Sequence, residues 1–372
     1  MKIITVVGTR PELIRLSRII PKLDNLCDHT FVHTGQSYDA NMRDVFFDDL
    51  GLRQPDYQLA VKAKTAMRQV CNTMTKLEGV LNEVQPDRIL VLGDTNSGFA
   101  ATYVAKRLGV QVYHMEAGNR CFDRNMPEEI NRMSIDHIVD VHMPYTEGSR
   151  YNLLREGVAS NTIYVTGNPI YEVMESVAVP KLPDHLTAGK YILATIHRQE
   201  NVENRGRLQS IIMACSQLAQ SYDMPIIFSR HSRTKARMDE MGFGSEGIAF
   251  TEPIGFLEFM ALERDAFCVI TDSGTVPEEC CLRGTPCVVL RDNTERPELI
   301  ECGATVLSGV EPGSVMRAVK VATQDGGLIQ WIPPEEYLRL DVSDTVVKIV
   351  LGYQNRKVIN RDFPKNVSEM WG

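Results

Sequence analysis

In RILVLGDTNSGFAATYVAKRLGVQVYHMEAGNR, residues 88–120, two short apolar runs flank a longer stretch with a helical pattern. RILVLG predicts a strand, a helix opens near Ser97, and VQVYHM predicts the next strand. A strand, a covering helix and a second strand make the repeating unit of a parallel sheet. The alternation continues outward through strands at KIITVVG, HTFVHT, VDVHMP and TIYVTG, with helices opening near Pro11, Ala40, Ala66, Pro127 and Thr146. This series predicts one doubly wound domain over residues 1–168. Beyond the weakly periodic, proline-containing stretch 178–190, strands at YILATI, PIIFS, IAF, FCVIT, PCVVL and ATVLS predict a second domain over 169–355. The fold class is therefore α/β, with two Rossmann-like domains and a cleft between them. Residues 356–372 read as a polar tail, and the architecture allows it and the final helix, roughly Asp341 to Tyr353, to return to the first domain.

A chain of 372 residues, 43% hydrophobic and 24% charged, has enough apolar content for two cores. Its net charge of -8 argues against general attraction to nucleic acid or to an anionic membrane, while leaving room for a local basic pocket. The N-terminal MKIITVVGTRPELIRLS is interrupted by Arg10, Glu12 and Arg15, so it fits neither a signal peptide nor a membrane helix, and a cytoplasmic protein is expected. Nine cysteines without metal-ligand spacing, two of them adjacent at Cys280 and Cys281, read as reduced and mostly buried thiols.

Parallel sheets bind ligands beyond the carboxyl ends of their strands, where loops and helix N-termini expose backbone donors. Polar clusters stand at five such exits: GTRPE (8–12), GDTNS (93–97), EAGNR (116–120), HRQEN (197–201) and DSGTVPEE (272–279). Gly8 and Pro11 allow a sharp turn into a helix and hold Arg10 where it can grip phosphate, although an ordinary helix start would look the same. Asp94 ends a strand and serves equally well as a helix cap. Glu116 stands between an apolar strand and a glycine, at the edge of a low-dielectric region that can raise a carboxylate toward the neutral range and suit it to proton transfer. In PEEINR, Glu128 and Glu129 occupy a first helical turn, where the dipole alone accounts for one of them. HRQEN and HSRT (231–234) offer either a cationic wall or two surface loops. DSGTVPEE brings a glycine turn and a helix N-terminus suited to phosphate, with Glu278 or Glu279 in reach of a ribose, and RDNTERPE (291–298) adds charge to the same rim or forms a salt-bridged loop. There is no GxGxxG after the first strand and no HExxH, CxxC or Walker lysine, so neither a nicotinamide cofactor nor a catalytic metal is expected. The pattern predicts a nucleoside diphosphate ligand, with acids mainly from the first domain and phosphate-binding groups mainly from the second.

Taken together, GTRPELIR, GDTNS, EAGNRCFDRNMPEEINR, TGNP, HRQEN, TDSGTVPEE and RDNTERPE resemble the non-hydrolysing UDP-N-acetylglucosamine 2-epimerase family, in order from Gly8 to about Gly309. The resemblance implies a fold of the glycosyltransferase-B type, a homodimer, and cofactor-free interconversion of UDP-N-acetylglucosamine and UDP-N-acetylmannosamine for cell-surface polysaccharide synthesis. It also implies a route: UDP is eliminated across C1 and C2 to give 2-acetamidoglucal, then adds back as a proton arrives on the other face of C2. By motif match, Asp94, Glu116 and Glu128 are the acidic catalytic candidates, assisted by His197. Arg10, Arg15, Arg120, His231, Arg233, Ser273, Gly274 and Arg296 are substrate-binding candidates, with Glu279 on the ribose. EAGNR in place of EAGLR, and TDSGT in place of TDSGG, look like the capsule and O-antigen branch that makes UDP-N-acetyl-L-fucosamine from its L-talosamine nucleotide, whereas HRQEN, TGNP and RDNTERPE look closer to the general family. The smaller Asn119 could alter the sugar pocket, HSRT departs from the usual HPRT, and Arg15 stands where lysine is common. A hydrolysing relative, a glycosyltransferase and a catalytically silent nucleotide-sugar sensor are the alternatives.

Overall fold

The computed structural model describes residues 1–36, 47–230, 232–241, 246–252, 254–324 and 331–353. The chain separates into two units: residues 1–173 together with the segment from Arg339 onward, and residues 174–338.

The first unit holds a six-stranded parallel sheet of β1 (Lys2–Val7), β2 (Asp28–His33), β3 (Tyr57–Gln58), β4 (Arg88–Leu92), β5 (Gln111–Met115) and β6 (Val141–Met143), in the order β3-β2-β1-β4-β5-β6. Its helices are α1 (Arg10–Leu16), α2 (Ile20–Leu26), α3 (Ala66–Val84), α4 (Asn96–Arg107), α5 (Pro127–Asp136), α6 (Glu147–Arg155) and α7 (Ile170–Ser176), the last crossing the boundary between units. Every residue of β4 is buried, as expected of a strand covered on both faces. On one face Ile4, Val6, Ile89, Val91 and Val112 pack against Leu77, Val80 and Leu81 of α3 and Ala101, Val104 and Ala105 of α4. Thr95 caps α4 by accepting from the Gly98 amide at 3.0 Å, which fixes the exit of β4.

The stretch TIYVTG, expected as a strand, contributes a single bridge between Ile163 and His142, although the Tyr164 and Thr166 amides still donate to the His142 and Pro144 carbonyls at 2.9 and 3.0 Å. The far edge is instead Tyr57–Gln58, a two-residue strand beside β2. The helix expected near Ala40 lies outside the described residues.

The second unit repeats the plan with all six expected strands: β7 (Ile192–Ile196), β8 (Ile226–Arg230), β9 (Ile248–Thr251), β10 (Cys268–Thr271), β11 (Cys287–Val289) and β12 (Thr305–Leu307), ordered β12-β11-β10-β7-β8-β9. Side chains alternate between two cores: Ile192, Ala194, Ile196, Cys268, Ile270 and Val288 face one, and Leu193, Val269, Cys287 and Val289 the other. Helices α8 (Gln199–Val202), α9 (Arg205–Tyr222), α10 (Ser232–Met241), α11 (Phe256–Asp265), α12 (Val276–Arg283), α13 (Pro297–Glu301) and α14 (Pro312–Thr323) complete it.

The last described helix, α15 (Val342–Gly352), belongs to the first unit, the return that the architecture allowed, although the boundary drawn at residue 355 grouped it with the second. Val342, Val346, Val347 and Val350 form a buried stripe at helical spacing, which must be covered. Polar contacts fix the docking: Lys22 of α2 donates to Ser343 Oγ at 2.6 Å, and the Ser343 amide donates to Glu172 at 2.8 Å. Residues 354–372, including the expected tail, lie outside the described residues. Among the described residues no helix is long and apolar enough to cross a membrane.

Candidate active site

Polar clusters form at the carboxyl ends of the strands in each unit. In the first unit, Glu116 is the first residue after β5 and adopts φ +65°, a conformation costly for a residue with a side chain. Two residues on, Gly118 (φ +79°) lies so close to α6 that a Cβ there would stand 2.2 Å from the Ser149 carbonyl oxygen. Glycine is therefore obligatory, and it seats the EAG turn against the helix. The turn aims the Glu116 carboxylate at Arg15, whose Nη1 lies 3.2 Å from Glu116 Oε2, with both side chains buried. The Arg15 guanidinium also sits over the Tyr145 ring, 5.8 Å from its centroid.

Asp94, at the neighbouring exit of β4, is half-buried and lies 2.6 Å from Arg132 Nη2. Arg132 Nη1 donates to Glu129 at 2.9 Å, and Glu129 also accepts from the Cys121 and Phe122 amides at 3.1 and 2.9 Å. The two acids of PEEINR thus divide: Glu129 is a buried anchor for the 121–122 loop, while Glu128, one residue earlier, remains half-buried.

Glu12 accepts from the Gly8 amide, the Thr9 amide and the Thr9 hydroxyl at 2.9, 2.7 and 2.7 Å, and from the Thr95 hydroxyl at 3.1 Å. It joins the Gly8–Thr9 turn ahead of α1 to Thr95, the residue after Asp94. Its burial pushes the carboxyl up to about 7, against the lowering effect of those hydrogen bonds. Behind the sheet edge, His114 bonds Asp136 at 2.8 Å and the Gly93 carbonyl at 2.8 Å, and Asp136 accepts from the Gly118 amide at 2.9 Å. Burial opposes the Asp136 charge, but His114 and Arg120 outweigh it and hold the carboxyl well below the usual range. Neither Glu12, Arg132 nor this His–Asp pair stood out in the sequence; Glu129 and Arg132, three apart on a helix, carried the one local signal of their pairing.

In the second unit Asp272, which opens the DSGTVPEE cluster but shows no role of its own in the sequence, organises the exit of β7. It is fully buried and accepts from the His197 and Arg198 amides at 2.9 and 3.0 Å and from the Asn201 amide group at 3.0 Å. His197 Nδ1 lies 3.4 Å from the same carboxylate, leaving the ring 42% exposed. Ser273 Oγ accepts from the Thr275 amide at 3.2 Å in the turn that opens α12. Glu295 lies against this turn: a Cβ on Gly274 would stand 2.6 Å from its Oε1, which also meets Arg198 Nη2 at 3.3 Å. Arg291 holds the other oxygen of Glu295 at 2.7 Å.

Three of the expected residues meet protein partners. Arg120, expected on substrate, is buried in ion pairs with Asp136 at 2.8 Å and Glu156 at 2.7 Å. Arg296, likewise, is buried in an ion pair with Glu278, which also accepts from the Tyr337 hydroxyl at 3.4 Å. Asn119 turns inward, where its Oδ1 accepts from Ser149 Oγ at 2.7 Å, so its smaller side chain is taken up by α6. His231 and the side chain of Arg233 lie outside what is described. Among the described residues no three histidine, cysteine, aspartate or glutamate side chains gather as metal ligands.

A family model described as UDP-N-acetylglucosamine 2-epimerase matches residues 22–351. The chain belongs to the UDP-N-acetylglucosamine 2-epimerase family. It is 41% identical over 336 residues to the UDP-N-acetylglucosamine 2-epimerase of Methanocaldococcus jannaschii, covering 86% of this chain and 92% of that one. It is also 35% identical over 330 residues to the UDP-2,3-diacetamido-2,3-dideoxy-D-glucuronate 2-epimerase of Pseudomonas aeruginosa, with coverage of 87% and 92%. The fold is similar to the crystal structure of the M. jannaschii enzyme in complex with UDP-GlcNAc and UDP, with a TM-score of 0.87, 39% identity, and coverage of 94% and 99%. Two parallel-sheet, Rossmann-like domains are thus the architecture of this epimerase chain, as its alternating pattern predicted.

Proposed function

We propose that this chain is an isomerase that epimerises C2 of UDP-N-acetylglucosamine, giving UDP-N-acetylmannosamine. The observation that carries the reading is the strained Glu116, locked by Gly118 and charge-paired with buried Arg15. Strain of that kind persists where the surrounding structure enforces it, and it clusters at sites of chemistry. The substrate class is supported by the relatives named for UDP-sugar epimerisation.

The C2 proton has no adjacent carbonyl to delocalise a carbanion, so its removal must be coupled to departure of the leaving group. A carboxylate takes the C2 proton, the C2–H electrons form the C1=C2 bond, and the C1–O bond breaks with its electron pair passing to UDP. In the return step UDP adds back to the same face of C1 while a proton is delivered to the opposite face of C2, so that C2 alone is inverted. Glu116, Asp94 and Glu128 are the acid and base groups for these transfers, and Arg15 fixes the direction of the Glu116 carboxylate. Arg10, the Ser273 and Gly274 turn, and the partly exposed His197 stabilise the charge accumulating on departing UDP, while Glu279 accepts from the ribose hydroxyls.

Product analysis tests the reading. Reactions started separately from the gluco and manno nucleotides, and separated by ion-exchange chromatography, should converge on one mixture of the two. Stoichiometric free UDP and N-acetylmannosamine would replace it with a hydrolysing reaction, and no interconversion in either direction would remove it.

A further inference from the structure

Glu263 in the last turns of α11 is 1% exposed, and Glu279 in the first turn of α12 is 4% exposed. Neither oxygen of Glu263 receives an N–H or O–H donor, yet its carboxyl meets that of Glu279 within hydrogen-bonding reach. Around the pair stand Arg283 and Cys280 of α12 and Cys287 of β11. Arg283 attracts negative charge from nearby, but its Nε and one Nη make no hydrogen bond. Two ionised carboxylates in contact at such depth would repel strongly, and a proton held between them relieves that repulsion. Helix polarity decides which side holds it: Glu279, at a helix N-terminus, is favoured as the anion, and Glu263, near a helix C-terminus, as the acid.

Resting on the reading that Glu279 accepts from the ribose, we propose that Glu263 is a positioning residue: a protonated carboxyl that donates to Glu279 and holds it, ionised, in the pose that meets the ribose hydroxyls. No proton need be transferred when the nucleotide binds. Burial and the Glu279 neighbour push the Glu263 carboxyl up, and Arg283 works against them without prevailing. The Cys280 thiol is itself pushed up by burial and stays neutral beside the pair.

Calorimetric titration of UDP and of 2′,3′-dideoxy-UDP onto the full chain, its E263Q variant and its E263L variant tests this. The glutamine of E263Q keeps a donor toward Glu279, so this variant should bind UDP within about threefold of the wild type, the allowance for an altered hydrogen-bond geometry. The leucine of E263L cannot donate, so that variant should bind UDP at least about tenfold more weakly, the loss expected of one hydrogen bond to a charged group. Binding of dideoxy-UDP should be the same for all three, which separates positioning from general damage to the fold. Equal losses for both nucleotides in E263L, no loss in E263L, or a loss in E263Q matching E263L would each overturn the proposal. A wild type that binds UDP and dideoxy-UDP equally would overturn the ribose role of Glu279, and the proposal with it.

Discussion

Replacing Glu12 with glutamine should remove a specific pH dependence from the stability of the first unit. The folded environment raises this carboxyl from 4.5 to about 7, and burial is the leading cause. At about 1.4 kcal/mol for each tenfold change in proton affinity, the folded chain prefers the neutral form by about 3 kcal/mol more than the unfolded chain does. The sign follows from the raised value: the stabilisation is fully present below pH 4.5 and is lost as pH rises through about 7. The glutamine of E12Q mimics the neutral acid, because its carbonyl can accept from Gly8 and Thr9 on the side of Glu12 Oε2 while its amide donates to Thr95, and it cannot ionise. Urea unfolding followed by circular dichroism, run for wild type and E12Q at a series of pH values, measures the difference. The gap in unfolding free energy should move by about 3 kcal/mol in favour of E12Q between pH below 4.5 and mildly alkaline pH. A gap that stays constant across that range would refute the reasoning, because it would mean that Glu12 titrates alike in the folded and unfolded chains.

R15M should lower kcat by about a hundredfold, the scale of removing one preorganised charged donor, as read from initial rates of epimerisation. R120M should instead cost about 3–5 kcal/mol of stability by stranding Asp136 and Glu156, measured by denaturant unfolding, while KM for the nucleotide sugar changes little. D136N should be destabilising by a similar about 3–5 kcal/mol near neutral pH, because asparagine cannot carry the charge that pairs with Arg120. Since the Asp136 value is depressed on folding, its contribution is present above the ordinary carboxylate range and lost in strong acid. The wild type should accordingly lose stability toward low pH more steeply than D136N.

The sequence discloses those parts of this molecule that depend on local pattern. The β4–α4–β5 segment is readable because each strand is a continuous apolar run and Thr95 is a recognisable cap, so its motifs fall at strand exits by construction. Tyr57–Gln58 is too short to show a period, and Ile163 carries a strand-like pattern although it forms a single bridge with the sheet. The return of α15 is set by contacts with Lys22 and Glu172, more than 150 residues away, and no local pattern specifies them. Among the candidate residues of the two units, Arg15, Arg120 and Arg296 look alike as letters. They part only when the fold supplies Glu116 to the first and buried structural carboxylates to the others. The role of Asp272 was hidden for a related reason: its three donors come from the β7 exit and α8, more than 70 residues earlier, so its role is invisible until β7 and β10 lie side by side.

The central claim, reversible proton transfer at C2 through elimination and return of UDP, is tested most directly by proton NMR of the purified protein with UDP-N-acetylglucosamine in deuterated water. The account predicts that the C2 proton signal is replaced by deuterium while the manno nucleotide appears, with no nicotinamide cofactor added. Retention of the C2 proton in a nucleotide sugar that never changes configuration would contradict it.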